Sequence, residues 1–136
     1  MTIENYSELD ATALAGMVRS GEVSALEVLE EAISRAEAYN PTLNAITYKA
    51  YDEARAAASG GLADGPFRGV PFLIKDIASP VKGWPQTSGS CFLRDDVAAE
   101  DGALTKRFRE AGLNLFGKTN TPEFGITGTT EGALHG

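Results

Sequence analysis

A chain of 136 residues with 43% hydrophobic and 23% charged residues has the size and composition of one modest globular domain. Its formal net charge of −7 repels phosphate backbones and anionic lipid, so neither nucleic acid nor a membrane is an expected partner. A single cysteine, Cys91, excludes an internal disulfide framework, and a single histidine, His135, excludes a Cys/His zinc cluster. With no secretory signal pattern and no apolar run near the roughly 20 residues of a membrane span, we expect a cytoplasmic protein.

Helix-capping signals and apolar periodicity predict four helices, over residues 11–20, 24–40, 49–59 and 101–111. The capping sequence Ser7–Asp10 precedes the first helix, and Ser24 with Glu27 forms a capping box for the second. Pro41 is expected to end the second helix, because proline lacks the N–H that a helix interior needs. Leu104 is expected to face the core from the fourth helix.

Three short apolar runs, over residues 44–48, 69–77 and 113–116, indicate strands. Because a helix lies between the first two, we expect a right-handed parallel crossover and an α/β fold. An irregular stretch of about 20 residues, 78–97, follows the second strand, and loops of that length tend to line functional sites. Residues 117–136 are rich in glycine and threonine and predict no further element.

Lys75 lies near the end of the second predicted strand, Gly69–Ile77, where another hydrophobic residue would fit. Side chains alternate along a strand, so Lys75 points the same way as Leu73 and away from Asp76. Burying an ammonium is costly unless it is paired or gives up its proton, which is why buried lysines recur as general bases. The alternative is a lysine at a strand end that reaches solvent or a distant carboxylate.

Three sequence patterns known from catalytic sites occur here without the surrounding structure that each of them requires. Gly112–Thr119 matches the P-loop expression, but its middle residues form a predicted strand and Pro122 stands where a helix would open. Ser79–Lys82 matches S-x-x-K, yet the Gly-Trp-Pro sequence that follows interrupts the helical turn this motif needs. His135 has no G-x-S-x-G elbow to pair with, so acyl-transfer chemistry here would need another base, for which Lys75 is the candidate.

Two segments rich in glycine and hydroxyl side chains, Thr87–Ser90 and Thr119–Thr130, lie beyond the ends of predicted strands. Open α/β sheets bind ligands at such positions, so both segments could surround Lys75. Ordinary turn and capping chemistry would explain the same composition.

Three segments in register carry a resemblance to a known family: Gly69–Asp76, Thr87–Ser90 and Gly117–Gly125. In order and spacing they resemble the N-terminal third of an amidase signature family enzyme, and the two predicted N-terminal helices fit its opening. The resemblance implies an α/β fold, the N-terminal part of the amidase signature fold, in which helices flank a mixed β-sheet core. It also implies that residues 1–136 are the N-terminal segment of a single amidase domain with no internal boundary, incomplete as given.

The same resemblance implies a hydrolase that cleaves carbon–nitrogen amide bonds of small molecules with a Ser–cis-Ser–Lys triad and no cofactor. Lys75 would be the triad base, and the full-length protein could form a homodimer. The family's Ser/Gly-rich signature, which holds both triad serines, falls after Gly136, so neither Ser88 nor Ser90 is assigned to the triad. The 136-residue chain alone is therefore expected to be inactive.

Substrate-binding residues are expected at Phe124, Gly125 and Ile126, with Trp84 and Phe92 as further candidates to line the cleft. Core packing is the alternative role for the four large apolar side chains of this set.

Alternative functions stay open from the sequence. One is the A subunit of a glutamine-dependent aminoacyl-tRNA amidotransferase, although Thr121–Gly125 reads TPEFG where those subunits usually have MDEFA. Another is a non-catalytic remnant or interaction module of the same fold, and a third is an unrelated α/β binding domain. A Ser/Gly-rich run in the reading frame beyond Gly136 would favour the enzyme, and a stop codon would favour the remnant.

Overall fold

Four helices and three short strands make up the part of the chain that the computed structural model describes, residues 3–136. The helices are α1 (Ala11–Ser20), α2 (Ala25–Leu43), α3 (Tyr51–Ala58) and α4 (Ala103–Glu110), and the strands are β1 (Ile46–Lys49), β2 (Pro71–Lys75) and β3 (Asn114–Thr119). Short 3₁₀ turns lie at Tyr6–Glu8, Cys91–Leu93 and Glu123–Gly125. Within residues 3–136, every helix is too short or too polar to cross a membrane.

The helix starts follow their capping signals. Asp10 is the N-cap of α1, and its carboxylate accepts the N–H of Ala13 at 2.8 Å. The predicted capping box of α2 is confirmed: Glu27 accepts the N–H of Ser24 at 2.7 Å and donates its own N–H to the Ser24 hydroxyl at 3.2 Å. These reciprocal bonds satisfy N–H groups that the first helical turn leaves without partners.

The predicted end of α2 at Pro41 is wrong, because the helix continues to Leu43 with the proline in its last turn. Asn44 closes this turn in a left-handed conformation, with φ 47°, and its N–H donates to Asn40 O at 2.8 Å. Asn40 in turn holds the first residue of β1, since its side chain accepts the N–H of Ile46 at 2.7 Å. A capped final turn therefore offsets the hydrogen bond that proline cannot donate.

The sheet has the strand order β1-β3-β2, with β1 antiparallel and β2 parallel to β3. The predicted parallel crossover between the first two strands is therefore wrong, because β1 and β2 are not neighbours and run in opposite directions. β3 occupies the centre, where both of its faces are covered: Leu115 and Phe116 belong to two different buried clusters. A strand that is apolar on both faces is the one suited to the middle of a sheet.

A one-residue shift in register interrupts the pairing of β2 with β3. Phe72 pairs with Leu115, but the next residue, Leu73, pairs with Gly117, so Phe116 is an extra residue on β3. The β1 backbone approaches here so closely that a Cβ at Gly117 would collide with Tyr48 O. Beyond the extra residue the side-chain alternation of β3 is reversed relative to its start.

Two buried clusters cover the two faces of the sheet. The first, called the α2 cluster, contains Leu29, Ala32, Ile33, Ala54 and Phe116, with Leu73 packed against it. The second, called the Trp84 cluster, contains Ala50, Ile74, Val81, Trp84 and Leu115. Trp84 is 2% exposed, which confirms core packing for this residue.

The inward face of α4 differs from the prediction. Leu104 is 46% exposed, whereas the neighbouring Thr105 is fully buried and its hydroxyl donates to Pro80 O at 2.7 Å. Gly102 N also donates to Pro80 O, at 2.9 Å. Because the Thr105 hydroxyl contacts the 78–97 loop, Thr105 faces the core of the protein in the place predicted for Leu104.

Candidate functional site

Lys75 is the last residue of β2, and its side chain is exposed. Within residues 3–136 it makes no side-chain hydrogen bond or ion pair. The prediction that this lysine is buried is wrong for the described chain, because the α2 cluster covers β2 only as far as Leu73. The lysine therefore extends past the covered part of the strand, with its amine accessible.

Lys118 on β3 is the buried lysine, and sequence reasoning missed it. Its side chain is completely buried and pairs with Asp76, whose carboxylate accepts from Nζ at 3.0 Å. Its position follows from the extra residue in β3, since Lys118 pairs with Ile74 and so points toward the Trp84 cluster. The signal present in the sequence is that Lys118 closely follows an apolar run, Leu113–Phe116, as Lys75 follows Leu73 and Ile74.

The Lys118–Asp76 pair is fully hydrogen-bonded. Lys118 Nζ also donates to Pro85 O at 2.6 Å and to the side-chain oxygen of Gln86 at 2.8 Å. Asp76 accepts both the N–H of Thr87, at 3.2 Å, and its hydroxyl. Burial lowers the pKa of Lys118, and the hydrogen bond and charge of the Asp76 carboxylate oppose that shift.

The two segments rich in glycine and hydroxyl side chains come together, as the sequence suggested. Ser90 is buried and donates its hydroxyl to Glu123 at 2.6 Å, and the N–H of Phe124 donates to Ser88 O at 2.9 Å. The second segment also approaches the end of β2, because a Cβ at Gly125 would lie 3.0 Å from Ile77 Cδ1. The structure thus gathers these segments at the strand end that carries Lys75.

Backbone strain is concentrated at the same end of the sheet. Among the described residues other than glycine, five have positive φ, and two of them are asparagines, which tolerate it. The other three are Ala78, Ser88 and Phe124, with φ of 57°, 50° and 52°. All three lie in the segments that follow β2 and β3. Each such residue costs about 1–3 kcal/mol, and strain of this kind clusters at functional sites.

The predicted substrate-binding residues lie on the surface of the described chain. Phe124 is 49% exposed and Ile126 is 79% exposed, with Gly125 between them also exposed. Phe92 is 89% exposed. Core packing among residues 3–136 is therefore excluded as the role of these three large side chains, and substrate binding stays a prediction.

Cavity size does not identify the site. A cavity of about 570 Å³ lies between α1, the start of α2 and the 57–68 segment, and its lining includes neither Lys75 nor Asp76. A smaller one, about 140 Å³, is lined by Asp76, Thr87, Lys118 and His135 among others. The larger cavity has the size of a ligand pocket, about 300–1,000 Å³, but it has no comparable cluster of buried polar groups. We therefore place the candidate site by its chemistry, at the end of β2. Within residues 3–136, no group of three or more His, Cys, Asp or Glu side chains could hold a metal ion.

Gly89 is predicted to be essential for the contact between the two segments. It has φ 66°, and a Cβ there would lie 2.5 Å from Thr121 O. Gly89→Ala should therefore combine left-handed strain, about 1–2 kcal/mol, with a backbone collision. Gly83 is a matched control, because it has φ 81° and open space around its Cβ position. Urea unfolding should show a clearly larger loss of stability for Gly89→Ala than for Gly83→Ala, and equal losses would contradict the packing described here.

Known proteins match almost the whole chain. Residues 27–136 match the sequence model of the family described as Amidase. The 6-aminohexanoate-cyclic-dimer hydrolase of Paenarthrobacter ureafaciens is 44% identical over 124 residues, which cover 90% of this chain and 25% of that protein. An acylamidase of Rhodococcus erythropolis is 39% identical over 144 residues, covering 100% of this chain and 30% of that protein.

A solved structure of 6-aminohexanoate cyclic dimer hydrolase superimposes with a TM-score of 0.90 and 40% identity, covering 99% of this chain and 28% of that one. The chain thus spans roughly a quarter to a third of the length of the relatives it matches. Its helices and small mixed sheet are those of one part of the amidase signature fold. The chain belongs to the amidase family.

Proposed function

We propose that residues 1–136 are the N-terminal segment of a single amidase domain, and that the whole protein hydrolyses carbon–nitrogen amide bonds of small molecules. The whole protein means the product of the complete reading frame that contains these residues. Lys75 is the base of a Ser–cis-Ser–Lys triad. The observation that carries the proposal is a lysine with no partner among residues 3–136, at the end of β2, in a chain that matches the Amidase family over residues 27–136.

The position of Lys75 suits the role of a base. A lysine removes a proton only when its amine is neutral, and surroundings that exclude water favour that form. The described residues leave Lys75 exposed, so the proposal places the residues that would cover it outside positions 3–136. The 136-residue chain alone is proposed to supply only this lysine.

Neither serine near the candidate site is proposed as the nucleophile. The Ser90 hydroxyl donates to the Glu123 carboxylate. Ser88 has a strained backbone with positive φ, and its carbonyl accepts the N–H of Phe124. Both residues already form hydrogen bonds that join the Thr87–Ser90 and Thr119–Thr130 segments. The nucleophile and the bridging serine are therefore assigned to residues outside this chain.

Small amides are the proposed substrate class. The relatives named above are hydrolases of a cyclic amide dimer and of acyl amides, and this chain shares about four residues in ten with them. Phe124, Gly125 and Ile126 are proposed to contact the apolar part of the substrate, because two large apolar side chains are exposed next to the end of β2.

A substrate panel tests the proposal. The whole protein should hydrolyse at least one amide among aryl acylamides, linear alkyl amides and the cyclic dimer of 6-aminohexanoate, measured by release of the amine. The 136-residue chain, assayed in parallel, should release none above the uncatalysed rate, because triad members act as a unit. Glutamine-dependent amidation of mischarged tRNA by the whole protein, with no hydrolysis of the panel, would contradict the proposal, as would enzyme-like turnover by the short chain.

A further inference from the structure

The buried Lys118–Asp76 pair is a set of charged groups that the proposed reaction does not use. The three protons of the Lys118 ammonium have three acceptors: the Asp76 carboxylate at 3.0 Å, Pro85 O at 2.6 Å and the Gln86 side-chain oxygen at 2.8 Å. Among the described residues, no buried side-chain nitrogen or oxygen lacks a hydrogen-bond partner. The network is therefore complete as it stands.

The pair lies next to the candidate base on both strands. Asp76 is the residue after Lys75, and its N–H donates to Thr119 O at 3.1 Å. Thr119 is the register partner of Lys75, and Lys118 precedes it on β3. The ion pair thus fixes the peptide units on either side of the Lys75–Thr119 pair, on the face of the sheet opposite the Lys75 side chain.

The same network continues into the loop that follows. The Thr87 hydroxyl, which donates to Asp76, accepts the N–H of Gly89 at 3.2 Å. Ser88, between them, accepts the N–H of Phe124 at 2.9 Å. A continuous set of hydrogen bonds therefore links Lys118 to the segment proposed to contact the substrate.

Stability does not explain this arrangement. Removing two charges from water costs several kcal/mol for each, and well-packed apolar residues of similar volume often replace such a pair with no loss of stability. An apolar pair could not direct three hydrogen bonds to chosen acceptors in the loop. The pair is therefore better suited to fixing geometry than to holding the fold together.

We propose that Lys118 and Asp76 are positioning residues for the amidase reaction, which fix the end of β2 and the 85–90 loop so that Lys75 and the substrate-contacting segment keep one relative geometry. This inference rests on the proposed function for its kinetic consequence. Its structural consequence is independent of the proposed function, because the order of the 85–90 loop can be measured without turnover.

Two variants of the whole protein separate positioning from stability. Lys118→Met leaves Asp76 as an unpaired buried charge, and the double variant Lys118→Met/Asp76→Asn removes both charges. Lys49→Met is the matched control, since Lys49 forms an exposed ion pair with Glu37 at 2.6 Å. For each variant we would measure kcat and KM on the best amide of the panel, the thermal midpoint, and amide hydrogen exchange of residues 87–90.

Lys118→Met should lower kcat by about 10²-fold with KM within about twofold, because a small misplacement of reacting groups has that effect. Its thermal midpoint should fall, and residues 87–90 should exchange faster. The double variant should recover most of the midpoint but neither kcat nor slow exchange, and Lys49→Met should match the parent.

Recovery of kcat together with the midpoint would overturn the proposal, and so would unchanged exchange in Lys118→Met. If the parent hydrolyses no amide, the proposed function fails, while the exchange rates still decide whether the pair fixes the loop.

Discussion

Lys75→Ala should abolish amide hydrolysis by the whole protein while leaving its fold intact. Loss of a positioned general base lowers kcat by about 10²–10⁴-fold, and loss of a triad member can lower it further. The fold should remain stable, because the side chain makes no hydrogen bond or ion pair within residues 3–136, and alanine removes the cost of covering an amine in the whole protein. Steady-state kinetics on the best panel substrate, together with a urea unfolding curve, would test both parts.

Lys106→Ala is the matched control for that experiment. Lys106 is also an exposed lysine, but it lies on α4, where alanine is a good helix former. It should retain parental kcat and stability. Turnover by Lys75→Ala within a few fold of the parent would remove the base role, whereas a loss of both activity and folding would show that the lysine has a structural partner outside the described residues.

Trp84→Ala should give a large loss of stability, about 3–5 kcal/mol. The ring is 2% exposed, lies 5.2 Å from the Tyr48 ring between centroids, and donates Nε1–H to Glu53 at 2.9 Å. Its removal leaves a cavity under the sheet face that also holds Lys118. Because small domains have total stabilities of about 5–15 kcal/mol, the variant should be close to unfolding at room temperature.

Far-UV circular dichroism in urea is the suitable measurement, because Trp84 is the only tryptophan among residues 1–136 and its replacement removes their tryptophan fluorescence. Phe92→Ala is the control, since Phe92 is a large aromatic residue that is 89% exposed. It should change stability by less than about 0.5 kcal/mol. Trp84→Phe should lose less than Trp84→Ala because it keeps a ring in the cluster, and equal effects of Trp84→Ala and Phe92→Ala would contradict the core assignment.

Local signals predicted the elements where a local interaction decides them. The α1 and α2 starts follow from Asp10 and from the Ser24–Glu27 box, both of which act within one helical turn. Two other local signals were misleading, because a further interaction overrode each of them. Pro41 did not stop α2, because Asn44 caps the following turn, and Leu104 is exposed because the Thr105 hydroxyl reaches Pro80.

The order of the strands in the sheet could not be predicted from the sequence pattern, because it depends on contacts between distant segments. A helix between β1 and β2 predicts a crossover only if those strands are neighbours, and β3 lies between them. Hydrophobicity indicates that Leu115 and Phe116 belong inside, but it does not say that they cover opposite faces of a central strand.

The candidate site could be located from sequence but not described from it. Lys75, the 87–90 loop and the 119–125 segment were identified, and the two loop segments do lie together. Lys75 was predicted to be buried and is exposed, whereas the burial of Lys118 was not predicted. Burial depends on which side of the sheet each lysine points to and on how far the covering elements extend, and a run of apolar residues carries neither piece of information.

The extra residue at Phe116 sets the face of the sheet on which Lys118 lies. If every residue of β3 paired with β2 in regular register, with none of them extra, Lys118 would lie opposite Lys75 and point toward the α2 cluster, away from Asp76. The ammonium would then face aliphatic side chains and Asp76 would lose its cation. A deletion of the extra residue would keep Lys118 opposite Ile74 but would take the Phe116 ring out of the α2 cluster, so an alignment of related chains is expected to run through this strand without gaps.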